Sequence, residues 1–364
     1  MPEKAPEPAV AGSRRPGLDF IGNFPMRKSD ADKKLDPKKQ AQGPVFPRGD
    51  YRISCRSHGL GMVLLEEFKA AYISKHVQDT VKLEKIIALP QLPTELNQNS
   101  GPILYGRPKS LPQTSVSKHL EDALLANKVD VVVLNMKDVP YDLPSGIVLA
   151  STLKREDSRD ALVTRNTIGA IQELPRGAKV AASSRRRVMQ IKALRPDLEI
   201  VHITGEVPER LQKMENENLD AVLVAWASLR RLNISPRYYV ALTPDQVVPA
   251  ATQGIAGILC RADDKDLLAK LRYIEDSEAS WAARCERAFV QKLGGTRDVP
   301  VGVFAHRKGT QDPWILDSVI GDARSGEVLK HREIGTSRCK PESLADKAFM
   351  GILGKGARKF LPFT

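Results

Sequence analysis

Lys137 and Asp138 lie in DVVVLNMKDVP, separated by two residues from the apolar run Val131 to Leu134. The run is short and β-branched, as expected of a buried parallel strand, and Pro140 cannot continue it. An ammonium and a carboxylate therefore stand just past the carboxyl end of a strand, where ligands bind in open α/β sheets. A second set is Ser183-Ser184-Arg185-Arg186-Arg187. Either serine can cap a helix there, and the free N–H groups of the first turn can hold an anion. The alternatives are a solvated Lys-Asp pair in a loop and a solvated helical face of arginines. Metal and redox chemistry are not signalled. Cys55, Cys260, Cys285 and Cys339 are far apart with no CxxC, and the six histidines show no ligand spacing. Isolated buried thiols in a reducing compartment are the expectation.

These residues sit in a chain of 364, long enough for two or three domains. No apolar run is long enough for a membrane span. The net charge of +12 points to nucleic acid, anionic ligands or acidic partners. Residues 1–50 are rich in Pro, Gly, Lys and Arg with no helical or strand period, which predicts an irregular basic N-terminal extension. The chain then reads β-α-β-α-β: YRISCRS, a helix including Gly61 to Ile73, LEKIIAL as a strand over 83–89, a loop from Pro90 to Pro112, a helix from Ser117 to Asn127, and DVVVL. Strands follow at Asp160–Thr164, Lys179–Ala182, Glu199–Ile203, Leu219–Ala225 and Gly254–Arg261. Helices are expected from Ser183, Pro208, Ser228 and Asp264. A long helix from Glu278, three strands and a closing helix form a last α+β unit.

Several blocks together resemble the porphobilinogen deaminase (hydroxymethylbilane synthase) family over about Arg52 to Leu361. They are KHLEDALLANKVDVVVLNMKDVP, LKREDSRDALV, VAASSRRRVMQI, TGEVPERLQKM, AATQGIAGILCR and CERAFVQKLGGTRDVPVGVFA. The resemblance implies two periplasmic-binding-protein-like α/β domains joined by two crossing segments, plus a small C-terminal α+β domain. The boundaries expected are 51–154 with 254–275, then 155–253, then 276–364. It implies condensation of four porphobilinogen units with loss of ammonia, primed by a dipyrromethane cofactor attached through a cysteine thioether. Asp138 stands at the catalytic aspartate and Lys137 precedes it. Arg56, Arg186, Arg187, Arg210 and Arg231 stand at carboxylate-binding positions, and Ser183 and Ser184 open the anion-holding helix.

The sequence departs from the family pattern at the cysteine. That position falls on Arg297, or on Thr296 with a one-residue slip, and neither is a thiol. Thr204 and Glu206 replace the Arg and Asn of the RGN motif, Leu134-Asn135 replace His-Ser, and Thr252 and Ser228 replace glycines. These losses predict an inactive chain without dipyrromethane, in which Asp138 and the groove residues persist without catalysing. Such a chain would act as a structural or interaction subunit of a large assembly such as a mitochondrial ribosome, meeting protein subunits and RNA through its basic surface and tail. Two alternatives stay open: a working deaminase with altered cofactor attachment, and a small-anion binding module. Mitochondrion is the expected location, with plastid and cytoplasm as alternatives.

Overall fold

The computed structural model describes residues 49–57, 59–76, 79–83, 117–294 and 299–361, which belong to one compact unit. Nearly all of the expected N-terminal extension, the loop expected over Pro90 to Pro112, and Thr296 and Arg297 lie outside the described residues.

The first sheet contains β1 (Asp50–Cys55), β2 (Thr80–Leu83), β3 (Val131–Asn135), β4 (Ile147–Thr152) and β10 (Ala256–Arg261), in the order β2-β1-β3-β10-β4. β3 runs parallel to β1, with Ile53 beside Val131 and Cys55 beside Val133, and antiparallel to β10. Alternate side chains of a strand point to opposite faces, so a strand covered on both sides is apolar throughout. Val131 and Val133 meet Leu64, Leu65 and Phe68 of α1 (Gly59–Lys75) and Leu267 and Leu271 of α6 (Lys265–Tyr273). Val132 and Leu134 meet Leu120 and Leu124 of α2 (Lys118–Leu125).

The second sheet repeats the pattern with β5 (Asp160–Thr164), β6 (Lys179–Ala182), β7 (Glu199–His202), β8 (Ala221–Ala225) and β9 (Tyr239–Leu242), in the order β7-β6-β8-β5-β9. Here β5 is the antiparallel insert. Leu162, Val180 and Leu223 pack on Val188 and Ile191 of α3 (Arg185–Leu194). Val163, Val222 and Val224 pack with Met214 of α4 (Val207–Asn216) and Leu229 of α5 (Trp226–Arg231). The third sheet is an antiparallel meander of β11 (Val301–His306), β12 (Ile315–Gly321) and β13 (Val328–Ile334). It shares a core with α7 (Ser277–Lys292) and α8 (Pro341–Gly354). Two segments, residues 153–159 and 243–255, pass between the first and second sheets. This is the binding-protein-like α/β architecture with a small α+β unit that the resemblance implies.

Local signals placed most elements well. Ser184, Asp264 and Asp276 each accept a hydrogen bond from the N–H three residues on and cap their helices. Three differences stand out. DVVVL is parallel on one side only, because the returning second crossing segment delivers β10 as its antiparallel neighbour. β4 and the edge strand β9 had no expectation. The strand expected at 83–89 is described at Thr80–Leu83, and residues 84–89 lie outside the described residues.

At the edge of the first sheet where β3 begins, Asp130 joins three strands. It accepts from the Arg52 backbone N–H (2.8 Å), from Arg52 Nε (3.0 Å) and Nη2 (3.0 Å), and from Arg261 Nη2 (2.7 Å). Burial works to raise its pKa, but these donors outweigh burial and bring it down to about 2. A depressed carboxyl pKa contributes stability that is complete above the ordinary carboxylate range and is lost as pH falls towards 2. Asp130→Asn should therefore cost about 2 kcal/mol at neutral pH. Urea titrations of both proteins from pH 7 to pH 3 should show the gap narrowing as the wild type loses this contribution. A gap that is independent of pH would refute the assignment.

Candidate functional site

Because β1 and β3 are parallel, the residues that follow them, Arg56 and Asp138, emerge at one edge of the first sheet. Asp138 ends a single 3-10 turn, Met136–Asp138, that folds back over β10. Gly257 makes the space for this turn. A Cβ there would stand 2.8 Å from Met136 Sδ and 3.3 Å from Val139 Cγ2. Behind the turn, Arg287 of α7 donates to the carbonyls of Val139 (3.0 Å), Pro140 and Tyr141 (3.1 Å), and its guanidinium lies over the Tyr141 ring. The Asp138 side chain is left 9% exposed, with Arg56 Nη1 at 3.7 Å. Arg56 Nε is buried without a hydrogen-bond partner.

The second sheet offers the matching edge. β6 and β8 end there and β5 begins, which brings Ser183, Ala225 and Asp160 to one side. Contacts join the two edges: Arg56 Nη2 lies 3.9 Å from Glu206 Oε1, and Arg231 meets Glu67 of α1 at 3.0 Å and the Gly254 carbonyl at 3.0 Å. Lys137, Arg231, Ser228, Thr252 and Asn135 line a small crevice between them.

Arg210 crosses from α4 to Ser183. It donates to Ser183 Oγ at 2.7 Å and to the Gly205 carbonyl at 2.7 Å. Burial, and then the neighbouring Arg187 cation, push its guanidinium down to about 10. Arginine does not deprotonate at neutral pH, so this marks a desolvated cation for which the nearby Glu206 and Glu209 carboxylates only partly offset burial and Arg187. Below it, Asp160 is fully buried and receives Arg186 Nη1 (2.6 Å), Arg187 Nη2 (2.8 Å) and Nε (3.2 Å), and Gln253 Nε2 (3.1 Å). Burial alone would raise its pKa; the two guanidiniums outweigh it and hold the carboxyl far below the usual range. One carboxylate faces two guanidiniums, so a net positive charge remains beneath the groove.

The residues singled out from sequence thus divide. Asp138, Arg56, Lys137, Arg231, Ser183 and Arg210 gather along the facing edges. Ser184 serves as the α3 cap. Arg186 spends its donors on Asp160 and the Val248 carbonyl (2.9 Å), and Arg187 on Asp160, Ser183 Oγ and the Leu223 carbonyl (3.1 Å). Both act beneath the groove. Sequence reasoning missed Asp160 and Glu286. Buried Glu286 receives Arg155 Nη1 (2.6 Å), the Thr252 N–H and the Ala305 N–H (2.8 Å), so it binds the third sheet to both crossing segments. A charged first residue on the wholly buried strand DALVT was the available signal for Asp160.

The chain's similarities agree with this geometry. The model for porphobilinogen deaminase, dipyrromethane cofactor binding domain, matches residues 109–269. The porphobilinogen deaminase of Roseiflexus sp. (strain RS-1) is 34% identical over 311 residues, covering 85% of this chain and 97% of that protein. The porphobilinogen deaminase of Campylobacter concisus (strain 13826) is 36% identical over 247 residues, covering 67% and 78%. Two expectations are corrected. Relatives matched over most of the chain are named as an enzyme, which overturns the inactive structural subunit; nothing in them points to a ribosomal or mitochondrial role. The matching model is that of a dipyrromethane-binding domain, which overturns the expected absence of that cofactor. Both expectations rested on a few substituted positions, whereas the match spans most of the chain.

Proposed function

The chain belongs to the porphobilinogen deaminase family, and from that premise we propose that it releases ammonia from porphobilinogen and joins the resulting pyrroles in the groove between Asp138 and Arg210. The observation that carries this reading is the buried Asp138 carboxylate at the carboxyl edge of β3, with the Arg56 guanidinium 3.7 Å away.

Porphobilinogen carries an acetate, a propionate and an aminomethyl group on one pyrrole. The aminomethyl group is protonated at neutral pH, so when its C–N bond breaks the electron pair leaves with nitrogen as ammonia and the positive charge passes to the methylene and ring. A carboxylate fixed in a low-dielectric pocket stabilises that charge as it develops. Asp138 is held for this role by the 3-10 turn and by Arg287, so little reorganisation is needed. Arg210, Arg56 and Lys137 supply cations for the substrate's carboxylates, the guanidiniums by two-pronged pairing, while Arg231 is engaged by Glu67 and the Gly254 carbonyl. Glu206 lies against Arg56 and competes with an incoming carboxylate for it. The same residues fit the carboxylates of a dipyrromethane, for which a bound pyrrole pair would supply a carbon nucleophile to start the chain.

Purified full-length protein supplied with porphobilinogen should release ammonia in proportion to the pyrrole consumed. Ammonia no higher than in a protein-free control would overturn this reading.

A further inference from the structure

We infer that this chain holds its pyrrole ligand without a covalent bond, through carboxylate pairs with Arg210, Arg56 and Lys137. The inference rests on the function proposed above and concerns the same groove.

A thioether requires a thiolate that can reach the ligand. Of the four cysteines, Cys55 directly precedes Arg56, but its side chain packs into the core under α1, with Sγ 3.7 Å from Met62 Sδ. Burial pushes its thiol up to about 11. Cys260 is enclosed within β10 and pushed up to about 12, and Cys285 is enclosed in α7 and pushed further still, in both cases chiefly by burial. Cys339 packs in the core of the third sheet, its Sγ lying against Gly335 where a Cβ would come within 2.6 Å. None of the four presents a nucleophile to the edge where Asp138 and Ser183 stand.

That edge is built for a polyanion. Arg210 donates to two neutral acceptors and is desolvated beside Arg187, a penalty that Glu206 and Glu209 offset only in part. Arg56 keeps a buried Nε without a hydrogen bond, and its carboxylate neighbours stand at 3.7 and 3.9 Å, beyond hydrogen-bond range. Asp160 offsets only one of the two guanidiniums below. A ligand with several carboxylates supplies the missing negative charge from multiple points, and multipoint ion pairing retains it while leaving it exchangeable.

The test uses the full chain incubated with porphobilinogen and freed of excess at low ionic strength. Mass measured under native conditions should show bound pyrrole, and mass after denaturation should equal that of the 40.1 kDa chain. Raising KCl from about 0.05 M to about 0.5 M should weaken retention roughly ten-fold, because salt screens ion pairs. Arg210→Gln should weaken it about ten-fold at low salt. A mass excess that survives denaturation, the absence of bound pyrrole under native conditions, or retention indifferent to both salt and Arg210→Gln would each overturn the inference. Ammonia measured in the same samples separates the two readings. Salt-sensitive retention without ammonia release sinks the deaminase function and leaves this inference standing; ammonia release with a denaturation-proof adduct does the reverse.

Discussion

Asp138→Asn should lower ammonia release from porphobilinogen by about a hundred- to a thousand-fold, the usual effect of removing one preorganised group from a developing charge. The substitution keeps the size of the side chain and removes its charge. The side chain is buried beside Arg56, so the stability of the variant has to be measured along with its turnover. The turn that carries residue 138 is held by backbone groups that the change leaves in place, including the Met136 N–H bonded to the Ile255 carbonyl at 2.9 Å. The loss should appear in kcat, with KM changed only a few-fold, because the substrate's carboxylates are met by other residues. Steady-state ammonia release and urea unfolding of both proteins check the two halves. A variant with turnover within three-fold of wild type would remove Asp138 from the chemistry.

What could be read in the sequence was what neighbouring residues decide. Val131 to Leu134 followed by Pro140 specifies a short buried strand and its end, and this placed Lys137 and Asp138 correctly. The serine before three arginines specified the start of α3. The network around Asp160 is of another kind. Arg186 is 26 residues from Asp160 and Gln253 is 93 residues away, and a buried charge is intelligible only once its partners are known. The antiparallel insertion of β10 between β3 and β4 depends likewise on a return from the second sheet that no local pattern announces. Thr252 shows the two levels meeting. The position corresponds to a glycine in the resembled motif, and Thr252 adopts φ 60°, a left-handed conformation disfavoured for a β-branched residue. Its N–H bonds to Glu286, which keeps the second crossing segment tied to the third sheet. The weight given to Arg297 and Glu206 failed for a related reason: substitutions at single points were read as loss of activity, although the relatives matched over most of the chain are named as an enzyme.

The largest effect on folding should come from Asp160→Asn. Asp160 stands where the first crossing segment enters β5, and its partners include Gln253 of the second, whose Nε2 also reaches the Ser158 carbonyl at 2.7 Å. Val248 of the second segment is fixed nearby, its N–H donating to Gln190 Oε1 (2.7 Å) and its carbonyl accepting from Gln190 and Arg186. Removing the carboxylate leaves Arg186 and Arg187 buried with no charge to offset theirs, a loss of about 3–5 kcal/mol. Acid should not reproduce this in the wild type at moderate pH, because the carboxyl stays ionised far below the ordinary range and its contribution is lost only as pH falls that far. The penalty is one of unpaired charge, so Arg187→Gln placed in the Asp160→Asn background should recover part of it, while the same change in the wild type should destabilise. Denaturant unfolding of the four proteins measures that coupling directly. Additive losses would mean that Asp160 acts through packing alone, and would detach the residual positive charge beneath the groove from the way its ligands are held.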